Sequence, residues 1–143
     1  MKIYTIGFTQ HSAEDFFEKL KDNGVKRVID IRINKTSQLA GFAKGNDLPY
    51  LLKVAGGIGY VAHSELAPTK ELLKSYRSKE ISWDVFEHEY KRQIVESKAI
   101  EGLDPAEFDD ACLLCSERTA DKCHRRLLSQ LLANHWHTST IHL

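Results

Sequence analysis

The sequence predicts an α/β fold: an open, mostly parallel sheet of about five strands with helices on both faces. Three observations carry that expectation. Short β-rich apolar runs alternate along the chain with stretches of helical spacing, so the underlying period is βα repeated. The first third reads strand–helix–strand, which implies a parallel pair joined by a right-handed crossover. Residues 111–132 repeat the pattern as strand, loop and helix, with one thiol at the strand's end and a second opening the helix.

Residues 3–6 form a β-rich run closed by Gly7, and Ser12 stands three residues before Asp15 as a capping signal for a helix carrying Phe16, Phe17 and Leu20. Asn23-Gly24 ends that helix, glycine being the usual left-handed terminator. Residues 25–31 give a second strand that finishes in Asp30-Ile31-Arg32. Residues 33–57 are the least periodic part, punctuated by Gly41, Gly45 and Pro49, with one short helix over 48–54. A connection this long is more often functional than decorative, and a lid is the natural reading. Residues 58–62 make a third strand ending at His63-Ser64-Glu65. Pro68-Thr69 starts a helix that runs from 71 to 77. Ser82 caps another whose apolar face uses Trp83, Val85, Phe86, Tyr90 and Ile94. Asp104-Pro105 is a turn, residues 111–114 are a buried strand, and Leu127, Leu128, Leu131 and Leu132 give the following helix its apolar stripe. Residues 138–143 are the last β-rich segment.

The bulk composition fits a single domain over 1–143. The chain has 143 residues, 42% apolar and 28% charged, enough to bury one core without staples. Twenty Lys and Arg balance twenty Asp and Glu, so a global basic field for nucleic acid is absent, while a local patch stays open. No run approaches the ~20 apolar residues that span a bilayer, so no membrane role is expected. The N-terminus reads as a strand rather than a signal peptide, and the cysteine count is an odd three. Together these predict a reducing, cytoplasmic setting.

The first four candidate strand ends carry special residues: Gly7, then Asp30 and Arg32, then His63 and Glu65, then Cys115 and Glu117. Parallel strands put their carboxyl ends on one edge, where an α/β sheet binds ligands and a helix N-terminus offers free N–H groups. Two motifs there could mislead. Cys112 and Cys115 with Cys123 and His124 look like a four-ligand zinc set, but residues three apart on a strand face opposite ways, so Cys112 belongs in the core. A cysteine–phosphate loop needs an arginine six places after Cys115, where this chain has Asp121. Neither a metal nor a cofactor is called for. Cys115 reads equally as a reactive thiol or as buried filler, and His124 as a structural hydrogen bonder or a base. Arg125 sits at the wrong end of a helix dipole for a cation, and pairing with Glu117, Asp30 or an anion would account for it.

Tyr4-Thr5-Ile6-Gly7, Asp30-Ile31-Arg32 with Ser37, Gly57-Ile58-Gly59-Tyr60, and Leu114-Cys115-Ser116-Glu117 with Cys123-His124-Arg125 occur in that order. This series resembles the "domain of unknown function 488" family over nearly the whole chain. Two departures border the expected crevice. Phe8-Thr9 stands where the family often has histidine-serine, and Glu65-Leu66-Ala67-Pro68 where it often has leucine-glycine-glycine. The resemblance implies an α/β sandwich and no agreed activity.

Three functional readings follow. The first is an enzyme acting on a small anionic or nucleotide-like substrate, with Cys115, Glu117, Asp30 and His124 as catalytic groups and Arg32, Arg125, Gly7 and Ser37 as binding groups. The second is a non-catalytic module for a phosphate, a nucleotide or a nucleic-acid end. The third is a Cys115–Cys123 redox pair.

Overall fold

A computed structural model describes residues 1–9, 11–33, 41–44, 46–116 and 122–143. The chain opens on β1 (Lys2–Gly7), buried over its last five residues. The next element, α1 (Ala13–Asp22), starts where the Ser12 hydroxyl accepts the Asp15 amide at 3.0 Å. Glu14 and Asp15 lie in its first turn and Lys19 and Lys21 in its last, both favourable to the helix dipole. Gly24, at φ +68°, turns the chain into β2 (Arg27–Asp30). That strand is shorter than the apolar run 25–31. A 3-10 turn (Gly41–Ala43) precedes α2 (Leu48–Gly56), which extends two residues past the expected 48–54 and is stopped by Gly57 at φ +66°.

β3 (Gly59–Ala62) leads to α3 (Lys70–Arg77), capped by Thr69, and α4 (Trp83–Glu96), capped by Ser82. Along α4 the buried stripe is Phe86, Tyr90 and Ile94, whereas Val85 is 44% exposed. Val85 does not belong to the apolar face: one residue from Phe86 it is rotated by roughly 100°. Asp104 is more than a turn residue. Its carboxylate accepts the Ala106 amide and caps the one-turn helix α5 (Pro105–Phe108). β4 (Ala111–Cys115), α6 (His124–Trp136) and β5 (Ser139–His142) complete the described elements.

The five strands form one sheet in the order β3-β2-β4-β1-β5, with every neighbouring pair parallel. Two layers of helices cover it. Phe16 and Leu20 of α1 and Leu48 and Leu52 of α2 pack on Val28, Cys112 and Leu114. Phe86, Tyr90 and Ile94 of α4, Phe108 of α5 and Leu127, Leu128 and Leu132 of α6 pack on Ile29 and Leu113. The chain therefore moves outward from β1 through β2 to β3 with its helices on one face. It returns through β4 to β5 with its helices on the other, as right-handed crossovers require. β4 lies between β1 and β2 but leaves toward the opposite face from both. That reversal is the topological switch point at which α/β sheets open a crevice beyond the strand ends. No helix among the described residues is long and apolar enough to cross a membrane.

Candidate functional site

Strand alternation sorts the residues of this edge before any chemistry does. Val28 and Leu114 face the α1–α2 layer, so Asp30 does too. Leu113 faces the α4–α6 layer, and Cys115 follows it. Cys112, fully buried, belongs to the α1–α2 core, and burial pushes its thiol well above the ordinary range. The two sulfurs of the C-x-x-C are thus on opposite sides of the sheet.

On the α1–α2 side, Asp30 and Arg32 hold each other. Asp30 is completely buried and Arg32 is 2% exposed. Arg32 donates Nε to Oδ1 at 2.9 Å and Nη2 to Oδ2 at 2.8 Å, a bidentate pair, and its backbone amide adds a 3.1 Å bond to Oδ1. The Tyr60 hydroxyl donates to Oδ2 at 2.5 Å. Burial first, then the hydrogen bond to Asp30, raises the Tyr60 phenol well above its ordinary pKa. The guanidinium carbon of Arg32 lies 5.3 Å from the centroid of the Phe8 ring.

On the opposite side the sulfurs meet. Cys115 Sγ and Cys123 Sγ are 2.6 Å apart, both free thiols, and Arg125 donates Nη1 to Cys115 Sγ at 3.2 Å. Cys123 occupies the N-cap position of α6 but makes no capping bond with its side chain; its sulfur turns to Cys115 instead. Burial, then the hydrogen bond and charge of Cys115, raises the Cys123 thiol well above its usual pKa. His124 donates Nε2–H to the Ile31 carbonyl at 2.9 Å, since a carbonyl can only accept. Burial, ahead of the Arg125 and Arg77 charges, lowers its imidazole to about 4. The ring is therefore neutral at pH 7, with Nδ1 carrying the lone pair. Tyr90 packs beneath His124, its hydroxyl donating to the Leu66 carbonyl at 2.6 Å and its ring 5.7 Å from the imidazole.

A cavity of about 130 Å³ opens here, close to the size that takes a single benzene ring. Ser116, Cys123 and His124 line it together with Arg32, Arg77 and Lys122. Tyr76, Trp83 and Phe86 complete its wall, their centroids 5.1 to 5.4 Å from one another. Cys115, wholly buried, does not line it.

The expected site residues are therefore only partly convergent. Cys115, Cys123 and Arg125 touch. His124 and Arg32 share the cavity, and Gly7 pairs with Cys115 across β1 and β4. Asp30 faces the other side of the sheet. His63 and Glu65 bond to one another at 2.6 Å, and His63 Nε2 reaches Glu107 at 2.5 Å, so this group ties β3 to α5. Glu117 and Ser37 lie outside the described residues, as do residues 34–40 and 45 of the expected lid. The residues that sequence reasoning missed are Tyr76, Arg77, Trp83 and Lys122 in the cavity and Tyr60 on Asp30. Trp83 was legible only as helix stripe, because a crevice wall and a core face share the same spacing.

Fold and edge together define a parallel α/β protein with a thiol pair and a cation-bearing cavity at the carboxyl end of its sheet. Within that class the chain belongs to the family described as domain of unknown function DUF488, whose model matches residues 12–132. No curated protein and no solved structure matches it.

Proposed function

We propose that the protein binds a small anionic, nucleotide-like ligand in the cavity beside α6. The observation that carries this reading is the lining: the cations Arg77 and Lys122, beside the Asp30-paired Arg32, share one ring-sized space with Tyr76, Trp83 and Phe86. Cationic groups favour an anion, and aromatic faces favour a flat base. Cys115 has no access to that space, which favours binding over direct attack by Cys115 on a bound substrate. Calorimetric titration with adenosine 5′-monophosphate, in reductant, tests the proposal. Saturable binding should weaken several-fold in Arg77→Ala and in Trp83→Ala, and inorganic phosphate should bind less tightly than the nucleotide. A panel of mononucleotides that all bind more weakly than about 1 mM, or binding untouched by both substitutions, refutes it.

A second reading is favoured by the sulfur contact itself: Cys115 and Cys123 act as a dithiol–disulfide couple. A disulfide bond is about 2.05 Å long, so the pair at 2.6 Å needs only a small approach to close. Counting free thiols after equilibration in oxidised and reduced glutathione should show two of them lost together and recovered together. Three thiols remaining under the most oxidising mixture would exclude the couple.

A further inference from the structure

We propose that the two sulfurs have unequal roles. Cys123 is the outer sulfur, which meets a small anionic disulfide in the cavity, and Cys115 is the inner sulfur, which resolves the product. This assignment rests on the couple reading above and goes beyond it. Both thiols are nearly sealed, but they are not equivalent. Cys115 ends the central strand β4 with no exposure at all, whereas Cys123 is 3% exposed and forms part of the cavity wall. Among the described residues Cys123 is the sulfur of the pair that reaches the cavity, so an external sulfur meets it first. Arg77 and Lys122 around the same cavity suit a carboxylate-bearing partner such as oxidised glutathione.

The exchange balances in two steps. The Cys123 thiolate attacks one sulfur of the incoming disulfide, whose S–S bond breaks. A mixed disulfide forms on Cys123, and the first small thiol leaves with the proton that Cys123 gave up. The Cys115 thiolate then attacks Cys123 Sγ and expels the second small thiol, which takes the proton of Cys115. The protein loses two electrons and the small disulfide gains them. Arg125 Nη1, 3.2 Å from Cys115 Sγ, favours the thiolate that the second step needs. The high pKa of the Cys123 thiol makes the first step slow. The 2.6 Å separation makes closure fast. A mixed disulfide therefore does not accumulate in the wild-type chain.

Intact-mass spectrometry and non-reducing peptide maps of the full chain, after exposure to oxidised glutathione, read both steps. The wild type should lose two hydrogens, linked Cys115 to Cys123, with no adduct. Cys115→Ser should carry one glutathione on Cys123, and Cys123→Ser should carry none. Cationic cystamine should react more slowly than oxidised glutathione at low salt. A wild type that forms no internal disulfide overturns the couple itself. A wild type that closes, while Cys123→Ser takes its adduct on Cys115, leaves the couple standing and overturns the roles. Should either variant fail to fold, timed iodoacetamide labelling of the wild type decides the matter. Cys123 labelled before Cys115 is the expected order, and the reverse order overturns the assignment.

Discussion

Replacing Asp30 by Asn removes one negative charge from a position with no solvent exposure and leaves every neighbouring donor in place. Among the described residues the wild-type carboxylate accepts four hydrogen bonds: the Arg32 amide, Arg32 Nε, Arg32 Nη2 and the Tyr60 hydroxyl. An asparagine of the same shape keeps one acceptor oxygen and turns an NH2 group toward donors, so about half of those bonds become donor–donor contacts. Arg32, 2% exposed, would also keep its charge without the Asp30 carboxylate that balances it. Breaking a buried pair in this way costs about 3–5 kcal/mol. Against a total stability of about 5–15 kcal/mol that is a large share. It should lower Tm by roughly 10 °C for a domain of this size. Equilibrium urea unfolding in reductant, followed by far-UV circular dichroism, measures the change. Tyr60→Phe, which deletes a single bond to a charged acceptor, should lose only about 1.5–3 kcal/mol on the same curve. The double replacement Asp30→Leu with Arg32→Met should recover much of the loss, because it removes the stranded charge as well. An Asp30→Asn protein within about 1 kcal/mol of wild type would show that this buried pair contributes little to stability.

Three further outcomes follow from the same geometry. Burial pulls the His63 pKa down, but the hydrogen bonds and charges of Glu107 and Glu65 outweigh it and leave it raised. The stabilisation from this cluster is therefore fully present below the unfolded histidine value of about 6.5 and is lost as pH rises through the higher folded value. Wild-type stability should decline over that window and His63→Gln should flatten the decline in urea titrations. His124 has the opposite sign: with a folded pKa of about 4, stability should fall as pH drops from about 6.5 toward it. Nitrogen-15 spectra should show the Nε2–H tautomer still neutral near pH 5. Gly57, at φ +66° with open space around a would-be Cβ, should lose about 1–2 kcal/mol on replacement by Ala through backbone strain alone. Thermal melts would read that loss.

Much of the fold was legible because βα periodicity leaves little choice of architecture. The Ser12, Thr69 and Ser82 caps and the stops at Gly24 and Gly57 fall where helix chemistry puts them. Cys112 could be assigned to the core by alternation alone. The order β3-β2-β4-β1-β5 could not be read, because long crossovers carry no record of which strand they skip. Without that order, Cys115 and Asp30 looked like members of one cluster. Their separation follows only once Asp30 is seen in register with Leu114, one residue before Cys115, so that the two point to opposite layers. His63 misled for a related reason. A strand-end histidine reads the same whether it meets a ligand or, as here, the Glu107 carboxylate of a helix far along the chain. Trp83 read as apolar stripe because nothing in the spacing says that the start of α4 lines a cavity, and Tyr76 on α3 carried no signal of its own.

The switch point explains why one strand edge carries two separate polar assemblies. β4 leaves the sheet toward α6 and carries its terminal thiol to that layer, while β2 leaves toward α2 and carries Asp30 to the other. Arg32 belongs to both sides. Its Nε and Nη2 are committed to Asp30, yet it also lines the cavity beside His124. Anchoring of this kind fixes a cation at the crevice with little rotamer freedom left to lose, so an anion meeting it would find the site already organised. The same logic applies to α6. His124 is tied to the Ile31 carbonyl next to Asp30, and Cys123 is tied to Cys115. The N-terminus of α6 is thus pinned to β2 and β4 at once. Closing the sulfur pair would therefore act on a wall whose other fixed point, His124, is bonded to Ile31 beside Arg32. Ligand affinity and sulfur oxidation state should accordingly be coupled, each altering the other by the same factor.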